Sequence, residues 1–195
     1  MERLIVETAL KEFLKSGIRE MSVAKLVRTL GISTKTFYKH YESKEALLKE
    51  CLDLLYGGYY AEFQKITGSS QGPVNKLLAV FKQALDQDFG INHAFFHDLN
   101  YYYPELQNEA IKRIREEASG IFVPLFEQGI TDGYFLPQLN PQVALTGINL
   151  LYTSITRGQH YPGMQDNPQL LFENLVVTFI RGMCTEKGRT QLKND

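Results

Sequence analysis

A row of polar and basic side chains between residues 34 and 40 has the chemistry needed to contact DNA. Hydroxyl, ammonium and imidazole groups donate hydrogen bonds to the edges of bases and to phosphate oxygens. On a predicted helix from about Thr34 to Tyr41, Phe37 and Tyr41 lie four residues apart and are expected to pack inward. The side chains left pointing outward or sideways are Thr34, Lys35, Thr36, Lys39 and His40.

Two short helices joined by a tight turn must position this row. Ser22 can cap a first helix, on which Val23, Leu26, Val27 and Leu30 recur at the i, i+3, i+4 and i+7 positions. Gly31 then suits the positive φ of a helix end, and Ser33 is a suitable N-cap for the second helix. This layout is that of a helix-turn-helix, in which the second helix reads DNA.

The rest of the chain has helical spacing of apolar residues throughout, which predicts an all-α fold. A helix over residues 2–16 stops at Gly17, and another runs from about Ser43 to Ile66, with a kink or joint expected at Gly57 and Gly58. Pro124 should kink one of the later helices. The remaining predicted helices span residues 73–88, 104–129, 141–157 and 168–186.

The motif residues resemble the tetracycline-repressor (TetR) family of bacterial one-component regulators. The resemblance runs from Ala9, Phe13 and Gly17 through Ser22, Gly31-Ile32-Ser33 and Phe37–Tyr41 to Ser43–Leu47, and it covers the first quarter of the chain. Val27 departs from the alanine usual in the family, and Tyr41 from the commoner phenylalanine. Both side chains are apolar enough for the core of the motif to accommodate them.

The resemblance also implies roles for individual residues. Thr34, Lys35 and Thr36 become candidates for base contacts, and Ser22, Tyr38, His40 and Lys44 become candidates for phosphate contacts. Ser33 and Lys39 complete the predicted DNA-binding set. The family dimerises through its last two long helices, packed as a four-helix bundle.

The distribution of charge agrees with this interpretation. Residues 1–50 carry 10 Lys and Arg against 7 Asp and Glu, a balance of +3, whereas residues 51–195 carry 11 against 15, a balance of −4. We therefore predict that residues 1–50 form a three-helix helix-turn-helix DNA-binding domain. Residues 51–195 would form a larger helical ligand-binding and dimerisation domain.

Composition and terminal sequence predict a cytoplasmic protein. With 44% hydrophobic and 22% charged residues, the chain has the composition of a soluble globular protein. The N-terminus mixes charges among apolar residues, unlike a signal peptide, and residues 139–156 are too polar for a convincing membrane span. Cys51 and Cys184 lack metal-type spacing and are expected to be free thiols.

Two further motifs raise the alternative of an enzyme. Gly68–Gly72 matches G-x-S-x-G, but this nucleophile motif needs a preceding strand, and the segment before it is predicted to be helical. His93 and His97 have a metal-compatible i, i+4 spacing without a third ligand nearby. We therefore expect no catalysis, no cofactor and no bound metal.

The aromatic residues after position 90 fit a ligand pocket as well as a core, and the sequence does not decide between them. The predicted pocket residues are Phe95, Phe96, His97, Tyr101, Tyr102, Phe122, Phe126 and Tyr152. The last two long helices are apolar on more than one face, which predicts a homodimer, although central helices of a monomer are the alternative. The predicted interface residues are Leu145, Ile148, Tyr152, Leu171, Leu175, Val176, Phe179, Ile180 and Met183.

Together these features predict a homodimeric transcriptional repressor, released from a palindromic DNA operator by a small apolar or aromatic effector that could also be cationic. The main alternative is an interaction module of the same fold that has lost DNA binding, and Val27 would be the sign of that loss. A helical enzyme is the weaker alternative.

Overall fold

The computed structural model describes residues 1–156, 161 and 167–193, and the predicted all-α class is confirmed for them: every regular element in these residues is a helix. They form two compact units, neither of which is continuous in sequence. The first unit combines Met1–Tyr59 with Gly90–Ile114, and the second combines Tyr60–Phe89 with the described part of Arg115–Asp195. The predicted domains, residues 1–50 and 51–195, are defined by function, the first binding DNA and the second binding a ligand and a partner subunit. Packing does not test these functions, so the division stays a prediction.

The first unit is built on the helix-turn-helix. Its first three helices are α1 (Glu2–Ser16), α2 (Val23–Leu30) and α3 (Thr34–His40). The unit also contains the start of α4 (Lys44–Thr67), all of α6 (His93–Tyr102) and the start of α7 (Pro104–Thr131). Phe13 of α1, Phe37 of α3 and Phe95 of α6 are fully buried in one core, so α6 packs as part of this unit.

The predicted helix ends of the motif are confirmed. The Ser22 and Ser33 hydroxyl oxygens accept hydrogen bonds from the backbone N–H groups of Lys25 and Thr36. Gly31 has φ 65°, in the left-handed region that a glycine adopts without a Cβ clash. Both short helices therefore begin at a serine cap, and α2 ends at a glycine whose left-handed conformation suits a helix end.

The second unit consists of the remaining helices around an aromatic and aliphatic core. They include α5 (Pro73–Phe89), α8 (Pro141–Thr156) and α9 (Pro168–Leu171). A π-helical segment, Phe172–Val177, leads into α10 (Thr178–Met183), and α11 (Glu186–Thr190) follows. Phe126, Phe135 and Phe172 are among its fully buried side chains.

The helix predicted over residues 168–186 differs from the observed one in two respects. Its middle is π-helical, and it ends at Met183 because Cys184 is extended and Thr185 caps α11. Residue 157, the predicted end of α8, lies outside the described residues. α4 stays helical through Gly57 and Gly58, and α7 stays helical through Pro124. In the described part of the chain no helix is long and apolar enough to cross a bilayer.

Candidate nucleic-acid interface

The structure brings the predicted DNA-contacting residues to the surface of one small region of the first unit. This region comprises α2, α3 and the start of α4. Six of the nine residues are exposed: Ser22, Ser33, Thr34, Lys35, Tyr38 and Lys39. The other three, Thr36, His40 and Lys44, are partly buried.

Buried aromatic rings hold α3 from behind. The Phe37 ring is completely buried, and the centroids of the Tyr38 and Tyr41 rings lie 5.3 Å and 6.0 Å from its centroid. The Tyr41 hydroxyl donates a 2.8 Å hydrogen bond to Glu50 Oε2. Burial and the Glu50 carboxylate raise the pKa of Tyr41, so its hydroxyl stays protonated and continues to donate. The buried contacts of Phe37 and Tyr41 therefore hold α3 in place, which fixes the positions of its exposed side chains.

At the start of α3, some side chains already form hydrogen bonds within the protein, and others are free to contact DNA. The Thr36 hydroxyl lies 2.8 Å from the Ser33 hydroxyl, which also accepts the Thr36 N–H at 3.0 Å. Thr36 is therefore partly used by the helix cap. Thr34 and Lys35 are exposed, and their side chains form no hydrogen bond to any residue that the structure describes. These two have the freest donors for base edges.

Two of the predicted phosphate contacts are held by their own chain. His40 Nδ1 lies 3.2 Å from Glu2 Oε1. Lys44 Nζ donates to the Ile18 carbonyl oxygen and lies 5.7 Å from the centroid of the Phe13 ring. Partial burial lowers the pKa of Lys44, and the nearby Asp98 carboxylate opposes that effect. The structure thus presents Lys44 differently from the exposed Lys35 and Lys39, and its phosphate contact stays a prediction.

A carboxylate from α6, which the sequence did not indicate, supports the approach to α2. Asp98 Oδ2 accepts the Arg19 backbone N–H at 2.8 Å, and only 6% of Asp98 is exposed. Arg19 lies in the loop before α2, and its guanidinium carbon is 4.3 Å from the centroid of the Tyr102 ring. Arg19 Nη1 also donates a 2.7 Å hydrogen bond to the Tyr102 hydroxyl. Both α6 residues therefore hold the loop that leads into the helix-turn-helix.

The start of α6 also satisfies the end of α1. The Asn92 backbone N–H donates to the Leu14 carbonyl oxygen at 2.9 Å, and Asn92 Nδ2 donates to the Lys15 carbonyl oxygen at 3.0 Å. These carbonyls belong to the last turn of α1, where intrahelical partners are missing. Nothing local in the sequence identifies a partner so far along the chain.

Gly17 allows this close approach of α1 and α6. Its φ is +85°, and a Cβ added to it would lie 2.9 Å from the Ala94 Cβ and 3.2 Å from Asp98 Oδ2. Any larger residue would have a strained backbone at this φ, and its side chain would clash with α6. The glycine that the sequence predicted as a helix stop is therefore also a packing contact.

The predicted ligand-pocket residues fall in different units. Phe95 and Phe96 are core residues of the first unit, while Tyr101 and Tyr102 are exposed on the same α6. His97 stacks on Tyr101 there, with ring centroids 6.0 Å apart. The predicted pocket residues in the second unit are Phe122, Phe126 and Tyr152. Neither unit contains all eight, so the predicted set does not form one pocket within a unit.

Within the second unit, Phe122 and Tyr152 belong to an aromatic cluster. The Phe81 ring lies 5.9 Å from the Phe122 ring and 5.7 Å from the Tyr152 ring, and the Phe63 ring lies 5.8 Å from the Phe122 ring, measured between centroids. The Tyr152 hydroxyl donates a 2.9 Å hydrogen bond to the buried Asp88 carboxylate. The sequence missed Phe63, Phe81 and Asp88, because their helical spacing is that of ordinary core positions.

The predicted dimer residues differ in how much of their surface one subunit leaves exposed, and their place in an interface stays a prediction. Most are already buried within their own subunit: Leu145, Ile148, Tyr152, Leu171, Val176, Ile180 and Met183. Leu175 is partly exposed and Phe179 is exposed. The apolar surface that remains is on other positions, with Val143 68% and Leu150 66% exposed on α8. A helix that is apolar on all sides does not show which face its own subunit buries.

The residues that suggested catalysis are not assembled into a site. Ser70 is exposed between α4 and α5, both helices, so the strand that a nucleophile elbow requires does not precede it. His93 and His97 lie on α6, and the described residues contain no group of three His, Cys, Asp or Glu that could hold a metal ion.

The amino-acid sequence of this chain is similar to those of known proteins. The sequence model described as "Bacterial regulatory proteins, tetR family" matches residues 5–51, which span the helix-turn-helix. The chain is 26% identical to the HTH-type transcriptional repressor KstR2 of Mycobacterium tuberculosis over 143 residues, which cover 70% of each protein. It is 28% identical to the uncharacterised HTH-type transcriptional regulator YuxN of Bacillus subtilis over 120 residues, or 60% of this chain and 41% of YuxN.

Solved structures show the same fold. The reduced form of Escherichia coli NemR superposes with a TM-score of 0.77 at 17% identity, covering 94% of this chain and 96% of NemR. The KstR2 structure from M. tuberculosis gives a TM-score of 0.63 at 21% identity, with 95% of each chain covered. The two relatives matched by sequence, KstR2 and YuxN, are named as regulators of transcription, and neither is named as an enzyme. Residues 5–51 therefore match the tetR family of bacterial regulatory proteins, and 70% of the chain is similar in sequence to a named transcriptional repressor.

Proposed function

We propose that the protein is a homodimeric repressor that binds a near-palindromic operator and is released from it by a small molecule. The observation that carries this proposal is the exposed, unengaged pair Thr34 and Lys35 at the start of a rigidly capped α3. In helix-turn-helix proteins the N-terminal residues of the second helix contact base edges. Thr34 and Lys35 would therefore read bases, while Ser22, Tyr38 and Lys39 would contact phosphates. The curated relative KstR2 is itself named a repressor.

The exposed apolar surface of α8 supports dimerisation. Val143, Gly147 and Leu150 share one face of this helix, and a Cβ on Gly147 would lie 2.8 Å from the Phe179 ring of α10. The exposed Phe179 ring therefore lies against the face of α8 that also carries the exposed Val143 and Leu150. A second copy of the same surface would remove these side chains from water, at roughly 25 cal/mol for each Å² of apolar area. Two subunits would then place two α3 helices in successive major grooves, about 34 Å apart.

The aromatic cluster around Phe81, Phe122 and Tyr152 supports an effector site in the second unit. The Tyr152 hydroxyl of this cluster donates to the buried Asp88 carboxylate, so the cluster combines apolar rings with a polar pair. Effector binding would shift the population of dimers towards one in which α4 is tilted. Because α4 begins directly after the helix-turn-helix, this tilt would move the α3 helices out of register.

Operator binding is tested by hydroxyl-radical footprinting on DNA from around the protein's own coding region. We expect two protected half-sites related by two-fold symmetry, with centres about one helical turn apart. Action on chromosomal DNA would place the protein in the cytoplasm. A single unsymmetrical footprint would contradict the dimeric arrangement. Uniform weak protection would favour the interaction module without DNA binding.

Base reading by α3 is tested with Lys35→Ala on the protected segment and on a random duplex. Affinity for the cognate segment should fall by about 1 to 3 kcal/mol, with a smaller loss on the random duplex. Lys65→Ala, an exposed lysine of the second unit, is the control and should leave both affinities unchanged. An equal loss on both duplexes would assign Lys35 to phosphate contact instead.

A further inference from the structure

A cleft in the second unit lies outside every predicted site. Its volume is about 670 Å³, which is within the range of small-molecule sites. Its lining comes from α5 and Gln71 before it, from the π-helical segment and α10, and from Leu192 after α11. Residues of this lining include Leu78, Ala79, Lys82, Phe172, Val177 and Arg181.

The charges in the cleft favour an anion. The side chains of Lys82 and Arg181 are exposed, and neither forms an ion pair or hydrogen bond with a residue that the structure describes. Glu173 is the one acidic residue of the lining, and its Oε1 already accepts a 3.0 Å hydrogen bond from Gln169 Nε2. Two available cations and one engaged carboxylate leave the cleft with a positive balance. This balance is opposite to that of residues 51–195 as a whole, which carry a net −4.

Apolar side chains lie among the polar and charged ones in the lining of the cleft. Leu78 and Ala79 are partly exposed on α5, and Phe172 and Val177 are the first and last residues of the π-helical segment. Segments of π-helix are rare and are frequent at functional sites, because the wider turn displaces side chains from their usual α-helical positions. Asn75, which also lines the cleft, has a buried carboxamide oxygen without a hydrogen-bond partner among the described residues. This oxygen is an acceptor, so a donor such as a hydroxyl of a bound molecule, and not an anionic group, would satisfy it.

We propose that this cleft binds an amphipathic organic anion. Lys82 and Arg181 would contact its carboxylate, sulfonate or phosphate group, and the apolar side chains of the lining would cover its hydrocarbon or aromatic part. Whether this anion acts as the effector rests on the proposed function, but its binding does not. The anion differs from the neutral or cationic effector that the aromatic residues after position 90 suggested.

The probe for this site is 8-anilinonaphthalene-1-sulfonate, an aromatic sulfonate whose fluorescence rises in an apolar environment. Titration of the full chain with the probe gives its dissociation constant, and competition with decanoate tests a second anion. Decanol and decyltrimethylammonium, which have the same chain length, test the need for negative charge. We expect decanoate to displace the probe and the neutral and cationic compounds to do so much less effectively.

Two variants identify the cleft as the place of binding. Lys82→Gln with Arg181→Gln should weaken probe binding about tenfold, because charge-assisted contacts are lost while exposed residues leave folding intact. The control, Lys65→Gln with Arg115→Gln, removes the same charge from exposed positions outside the cleft lining and should change the constant by less than about twofold. Ala79→Phe, which places a ring in the cleft beside Leu78 and Lys82, should also weaken probe binding without changing the melting temperature.

Equal probe binding by the wild type, the double variant and the Ala79→Phe variant would overturn the proposed site. Operator affinity, measured with the same variants, separates this failure from failure of the proposed function. Release of operator DNA by decanoate in the wild type, and not in the double variant, would support the anion as an effector. Binding in the cleft with no change in operator affinity would overturn its role in the switch while leaving the site.

Discussion

The large hydrophobic side chains that reach solvent differ between the two units. Those of the first unit are three tyrosines, Tyr38, Tyr101 and Tyr102, together with Met1, Leu4 and Leu54, whereas those of the second include no tyrosine and are Val143, Leu150, Leu170 and Phe179 among the described residues. A tyrosine hydroxyl still forms hydrogen bonds with water or phosphate, but an exposed aliphatic group gains only by leaving water. The exposed tyrosines of the first unit therefore suit a charged, hydrated partner such as DNA, and the exposed side chains of α8 and α10 in the second unit suit another apolar protein surface.

The units also differ in how their helices are fixed. In the first unit, side-chain caps, a left-handed glycine and a buried carboxylate define the short helices around α2 and α3. In the second, the cluster of Phe81, Phe122 and Tyr152 packs beside the buried Asp88 carboxylate, and a Thr185 cap begins α11. Directional hydrogen bonds fix the positions of α2 and α3 more strictly than apolar packing does. We therefore expect polar substitutions to act mainly on DNA binding and apolar-to-charged substitutions mainly on assembly.

The largest expected effect tests the apolar surface of the second unit. Val143→Asp with Leu150→Asp should convert the dimer to a monomer at micromolar concentration, because two carboxylates would have to be buried in the interface. Operator affinity should fall at least about 100-fold with the loss of one half-site contact. Multi-angle light scattering and fluorescence anisotropy measure the two effects.

The control for this prediction is Tyr101→Asp, which adds a charge at an exposed residue of the first unit. It should leave the dimer intact. Dimers of unchanged stability in the Val143→Asp, Leu150→Asp variant would show that the exposed surface of α8 is not the interface, and the contrast between the two surfaces would be lost.

The next effect tests the close packing of the first unit at Gly17. Gly17→Ala should lower the free energy of unfolding by about 2 to 4 kcal/mol, because a positive φ and a Cβ contact of 2.9 Å act together. Gly31→Ala has a similar positive φ but no atom within 4 Å of its added Cβ, so it should cost only about 1 kcal/mol. Urea unfolding compares them, and equal losses would show that α6 does not restrict Gly17.

A smaller effect tests the carboxylate that joins α6 to the loop before α2. Asp98→Ala leaves the Arg19 N–H without its acceptor and should cost about 1 to 3 kcal/mol of folding stability, with weaker operator binding. Asp98→Asn keeps an acceptor oxygen and should restore most of both properties. Glu105→Ala removes an exposed acid of the same unit and is the control. Operator affinity unchanged in folded Asp98→Ala would show that α6 does not position the helix-turn-helix.

The smallest effect compares the two buried thiols, one in each unit. Burial raises the pKa of Cys51 to about 12 and that of Cys184 to about 11, and Arg189 and Arg181 limit the rise at Cys184. At pH 8 both should remain thiols and react slowly with a disulfide reagent in the native protein, whereas both should react at once in urea. As pH rises, Cys184 should react first. Rapid labelling of native protein at pH 8 would show that these cores are open.

What the sequence predicted well was local. Ser22, Gly31 and Ser33 act within three residues of their positions, so their roles as caps and turn are visible in a short window. Helix bounds also follow from local spacing. The π-helical segment escaped prediction because its sequence, FENLVV, has no feature that distinguishes it from an α-helix.

What the sequence did not predict was non-local. Asp98 and Arg19 are 79 residues apart, and nothing near either one identifies the other. Nor did it predict that one subunit alone buries Ile148 and Val176, two of the predicted interface residues, because an apolar helix does not reveal which neighbour covers each face. The aromatic residues after position 90 divided between a core and an exposed surface for the same reason.

The most direct test of the central claim is fluorescence anisotropy of the full chain on DNA from around its own coding region, against a random duplex, over a series of salt concentrations. We predict tight binding to one near-palindromic segment by two chains, with the logarithm of the binding constant falling linearly with the logarithm of salt concentration. Weak binding of equal strength to that segment and to the random duplex would contradict the assignment of α3 as a reader of this DNA.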